Sequence, residues 1–72
     1  MSPDLSVVIA CYNESDALPH LLPRIETLEA AAAGREVSLE ILFVDDGSTD
    51  GTREALRDAC AGREDRRLMV HV

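Results

Sequence analysis

Residues 39–52 read LEILFVDDGSTDGT: an apolar run that stops at two adjacent carboxylates and passes straight into turn-formers. A short β-rich run bounded in this way suits a strand covered on both faces of a parallel sheet, with a tight polar turn at its carboxyl end. Leu5–Ala10, LSVVIA, is a second run of the same kind. Between the two, Leu18, Leu21, Leu22, Ile25, Leu28 and Ala32 recur at three- and four-residue spacing, which is one apolar helix stripe, and Gly34 is placed to stop it. Pro19 can open that helix, but Pro23 lacks an N–H that the next turn wants, so an irregular or bent start is expected. Ala55, Leu56, Ala59 and Cys60 form a second stripe ended by Gly62, and residues 68–72, LMVHV, read as a third strand.

The order β-α-β-α-β predicts an α/β fold: a three-layer, Rossmann-like parallel sheet with right-handed crossovers. Seventy-two residues make at most one small domain, and three parallel strands make a poor sheet by themselves. Residues 1–72 are therefore expected to be the N-terminal part of a single larger α/β domain, with no second domain inside them.

Fourteen acidic against seven basic side chains give a formal charge of −7, a field that repels nucleic acid and anionic lipid. With a single Tyr and a single Phe there is little surface for stacking a nucleic-acid strand. No apolar run approaches the roughly 20 residues that span a bilayer. Cys11 and Cys60 stand far apart, without CxxC spacing, and read as ordinary buried thiols of a reduced, cytoplasmic chain.

In open parallel sheets ligands bind beyond the carboxyl ends of the strands. Two loops leave such ends here, ACYNESDALP and DDGSTDGT, and they should lie side by side. The first contains no glycine, so it is neither a dinucleotide-binding turn nor a phosphate-cradling P-loop. The second brings Asp45 and Asp46 to the sheet edge, where a carboxylate suits the N–H of a uracil or guanine ring or the hydroxyls of a ribose. Carboxylates repel a diphosphate, so an anionic donor there calls for a divalent cation, Mg²⁺ or Mn²⁺. For Ser48, Thr49 and Asp50 the simpler expectation is capping of the second helix. Asp46, Ser48, Asp50 and Gly51 match the opening of a calcium loop, but Arg57 occupies the position that needs a bidentate glutamate. A dehalogenase-type phosphatase needs an aspartate where Ser48 stands. The acidic pair also resembles that of a phosphoacceptor receiver domain, in which this strand would come first and the phosphorylated aspartate would end the next one. A non-catalytic α/β interaction module is the remaining alternative.

LSVVIACYNESDALPHLLPRI followed by LEILFVDDGSTDGT resembles the start of a family 2 glycosyltransferase of the GT-A fold, and in particular the branch of dolichol-phosphate mannosyltransferase and bacterial polyprenyl-phosphate glycosyltransferases. The resemblance implies an inverting transfer of a sugar from a UDP- or GDP-sugar to an acceptor such as a polyprenyl phosphate or a saccharide. It implies that Tyr12 and Glu14 line the nucleotide pocket beside base and ribose, that Asp46 hydrogen-bonds the base, and that Asp45 supports the loop or ribose. Asn13 would stabilise the loop or cap the helix. Ala10 stands at a pocket position where the family commonly has proline. The resemblance further implies an Mg²⁺ or Mn²⁺ held by a D-x-D motif beyond Val72, with the acceptor site later still. These residues would then hold the base-recognition half of a donor site and be inactive alone, in a parent protein that is cytoplasmic or at the cytoplasmic face of a membrane.

Overall fold

The computed structural model describes residues 2–71. Its elements are β1 (Leu5–Cys11), α1 (Leu18–Gly34), β2 (Leu39–Asp46), α2 (Thr52–Cys60) and β3 (Arg66–His71). The α/β class and the alternating order match the expectation. β3 starts before the predicted Leu68, and the predicted strand end at Val72 lies outside the described residues.

The sheet is parallel, in the order β1-β2-β3. Val7, Ile9 and Cys11 pair with Ile41, Phe43 and Asp45, and Ile41 and Phe43 pair in turn with Arg66 and Leu68. Side chains alternate along a strand, so all of these share one face. That face carries the core: Cys11, Ile41 and Phe43 pack with Leu18 and Ile25 of α1 and Leu56 of α2.

Both helices lie on this one face, because two right-handed crossovers in the same direction place their helices on the same side of a sheet. The runs expected to be covered on both faces are thus covered on one. Val8 and Met69, on the other face, are 62% and 54% exposed. The described residues supply two of the three expected layers.

α1 runs unbroken through Pro23, so the irregular start is not observed. Pro19 sits in the first turn, where its missing N–H has no helical partner to lose. Pro23 forfeits one helical hydrogen bond, and the buried Leu18 and Ile25 on either side keep the helix docked. The helix ends at Gly34 as expected, but the left-handed residue that turns the chain is Glu36, at φ 58°. Its C-terminal turn is closed by the N–H groups of Arg35, Glu36 and Val37 bonding to the carbonyls of Ala32 and Ala33.

A buried ion pair ties the layers together. Arg66 of β3 gives Nε and Nη2 to Glu29 of α1, at 3.0 and 2.6 Å, and Nη1 to the Ala59 carbonyl of α2 at 2.8 Å. One guanidinium, 5% exposed, therefore joins both helices to the sheet.

Candidate functional site

The carboxyl ends of β1 and β2 are neighbours, Cys11 standing beside Asp45, so the loops that leave them, residues 12–17 and 47–51, lie side by side as predicted. They are also laced together. The Asn13 N–H donates to Ser48 Oγ at 3.0 Å, and the Asn13 side-chain oxygen accepts the Thr49 N–H at 2.9 Å. The Glu14 N–H donates to Thr52 Oγ1 at 2.8 Å, while the N–H and hydroxyl of Ser15 both reach Asp50 Oδ2, at 3.2 and 2.8 Å.

The lacing needs unusual backbone on both sides. Asn13 adopts φ 49°, a left-handed conformation that asparagine tolerates better than most residues. Gly47 and Gly51, at φ 79° and 98°, turn the second loop out of β2 and into α2.

Asp45 and Asp46 are adjacent in sequence and opposite in setting. Asp45 continues the core face of β2 and is fully buried. Its Oδ1 accepts the Ser48 N–H at 3.2 Å and its Oδ2 accepts Arg53 Nε at 2.8 Å. Hydrogen bonding by Ser48 and then by the Arg53 guanidinium holds this carboxyl below the usual carboxylate range. Such an arrangement suits the loop-supporting role expected of Asp45. Asp46 faces the other way and is exposed, its Oδ1 lying 2.8 Å from Nδ1 of His71, its register partner on β3.

Ala10 pairs with Val44 and shares the face of Asp46. Tyr12, the residue after β1, is 59% exposed. Glu14 is half-buried, and its backbone serves the lacing. Ala10 and Asp46 thus share the carboxyl-end rim of the uncovered face, with Tyr12 exposed in the loop that follows β1, whereas Asp45 lies on the core face.

The N-cap of α2 is Gly51, with no side-chain cap, so none of Ser48, Thr49 and Asp50 caps the helix in the expected way; only Asp50 reaches its start. Asp50 Oδ1 accepts the N–H of Thr52, the first residue of α2, at 3.0 Å and the Thr52 hydroxyl at 2.5 Å. The Thr52 bond, followed by that from Ser15, lowers the Asp50 pKa to about 2. Ser48 and Thr49 join the loops instead. Ser15, Thr52 and Arg53 were not anticipated, although a buried Asp45 requires a cation and Arg53 is the first base that follows it.

Two of the loop carboxylates are already engaged within the protein. Asp45 is spent on Arg53 and Asp50 on Ser15 and Thr52, and among the described residues no three metal-ligating side chains converge. Among them, too, no helix is long and apolar enough to cross a membrane.

Residues 6–72 match the family model described as glycosyl transferase family 2. Similar curated proteins include the undecaprenyl-phosphate 4-deoxy-4-formamido-L-arabinose transferase of Aeromonas hydrophila, 46% identical over 57 residues, which are 79% of this chain and 17% of that protein. The protein of the same description from Klebsiella pneumoniae is 49% identical over 55 residues, 76% of this chain and 16% of its own length. That from Pseudomonas paraeruginosa is 47% identical over 62 residues, again 79% of this chain and 17% of the relative. The chain spans about a sixth of the length of the curated relatives it matches.

Proposed function

The chain belongs to glycosyl transferase family 2, and from that premise we propose that its rim binds the nucleoside diphosphate of a nucleotide-sugar donor. Asp46 carries the reading: an exposed carboxylate at the carboxyl end of the central strand, on the same face as Ala10, with Tyr12 exposed just beyond the neighbouring strand. In this reading Asp46 accepts a ring N–H of uracil or guanine, and Tyr12 lies against base or ribose with Glu14 below it. Ala10 lets the base approach the sheet closely. Asp45 touches no ligand and holds the second loop through Ser48 and Arg53.

The reaction is the inverting transfer of the sugar from a UDP- or GDP-sugar to a lipid-phosphate or saccharide acceptor. The relatives named as undecaprenyl-phosphate transferases favour a polyprenyl phosphate as that acceptor. Residues 1–72 contribute the base-recognition half of a single GT-A domain and are inactive alone. A Mg²⁺ or Mn²⁺ on a D-x-D motif beyond Val72 would neutralise the departing diphosphate; no residue described here is assigned to it. The enzyme works in the cytoplasm or at the cytoplasmic face of a membrane. The test is sugar transfer to a polyprenyl phosphate by the full-length protein and its Asp46→Asn variant. Losing one hydrogen bond to a charged acceptor, worth about 1.5–3 kcal/mol, should lower kcat/KM roughly 10- to 150-fold. Undiminished transfer by the variant would remove Asp46 from the site.

A further inference from the structure

Resting on that reading of Asp46, we propose that His71 is a positioning residue of the nucleotide site, fixing the Asp46 carboxylate for the incoming base. The two residues are register partners at the ends of β2 and β3. Register partners on adjacent strands project from the same face, so the imidazole and the carboxylate emerge together. His71 Nδ1 lies 2.8 Å from Asp46 Oδ1, with the side chains 73% and 64% exposed.

An aspartate at an exposed sheet edge ordinarily turns freely about its side-chain bonds, and a ligand that uses it must first stop that motion. A hydrogen bond from the adjacent strand limits the turning in advance. With Oδ1 engaged by His71, Oδ2 remains to accept the N–H of a base. For this the imidazole must carry a proton on Nδ1, as the neutral Nδ1–H tautomer or as imidazolium. Asp45 receives comparable fixing from Ser48 and Arg53, but it is buried. His71 gives the exposed acid what those two give the buried one.

Calorimetric titration of the full-length protein with UDP and with GDP tests the assignment, using His71→Ala, His71→Asn, Asp46→Asn and the Asp46→Asn/His71→Ala double variant. Asparagine can place its amide nitrogen near the position of Nδ1. We expect His71→Ala to weaken the better nucleotide roughly five- to tenfold and His71→Asn to restore it to within about twofold, with almost no effect of His71→Ala once Asp46 is Asn. Nitrogen chemical shifts of the His71 ring should show Nδ1 protonated in the free protein. The assignment is overturned if His71→Ala binds like the parent, if it weakens binding equally in the Asp46→Asn background, if His71→Asn behaves as alanine does, or if Nδ1 carries no proton. A parent protein that binds neither nucleotide overturns the donor-site reading and this assignment with it. A parent that binds while His71→Ala is silent overturns this assignment alone.

Discussion

Thr52 shows how one buried side chain can serve a fold and a site together. It is fully buried at the start of α2, where its hydroxyl accepts the Glu14 N–H and donates to Asp50. Valine in its place keeps the shape and removes both bonds, leaving the Glu14 N–H without its acceptor. The expected cost is about 1–3 kcal/mol, measurable as a lowered urea midpoint at unchanged slope. Nucleotide affinity should fall as well, because the loop carrying Tyr12 and Glu14 loses its tether to α2. Asp45 and Asp46 teach a related lesson. The run VDD shows two acids at a strand end, but not which of them faces the core. Strand register decides that, and register depends on how Leu5–Cys11 aligns with Leu39–Asp46.

At the scale of elements, hydrophobic periodicity predicted the strands and helices well, since Leu18, Leu21, Leu22 and Ile25 of α1 and Ala55, Leu56 and Cys60 of α2 pack on the same sheet face, although Leu28 of the first stripe stands exposed. Less legible were the places where polar residues far apart in sequence meet. Ser48 and Thr49 have the composition of caps, and only the parallel pairing of β1 with β2 brings them to Asn13. The ion pair of Glu29 with Arg66 is hidden for the same reason, with one partner in a helix stripe and the other at a strand start. α1 stops at Gly34, as its sequence suggests, but the left-handed conformation that follows falls on Glu36, two residues on. A left-handed residue other than glycine costs roughly 1–2 kcal/mol, and glycine returns about 0.5–1 kcal/mol of that in unfolded-state entropy. Glu36→Gly should therefore stabilise the protein by about 0.5–1 kcal/mol, raising Tm by a few degrees. An unchanged or lowered Tm would mean that the Glu36 side chain contributes more than its backbone strain costs.

Across the whole molecule, the carboxylates make stability depend on acid. Glu29 is held low by its bond to Arg66, Asp45 by Ser48 and Arg53, Asp65 by Arg63, and Asp50 by Thr52 to about 2. Each folded-state pKa lies below its unfolded value, so the associated stability is fully present above the ordinary carboxylate range and is lost as pH falls through the folded values. The urea midpoint should stay nearly flat from pH 7 to about 5 and then decline steadily from about 4 toward 2. A midpoint that held level to pH 2 would show these bonds to be no stronger than those the unfolded chain makes with water. Of these carboxylates Asp45 and Asp50 also hold the two loops at the rim, so part of the acid-sensitive stability is shared with the proposed function.

Whether this rim recognises a nucleoside diphosphate can be read from thermal melting of the full-length protein with UDP, GDP and ADP, each with and without Mn²⁺. A ligand at a hundredfold excess over its Kd adds about 2.7 kcal/mol to the folded state, which should raise Tm by several degrees. That rise is expected with UDP or GDP, larger in the presence of Mn²⁺, and abolished by Asp46→Asn. Melting temperatures indifferent to every nucleotide would contradict it and leave the laced loops as a structural turn.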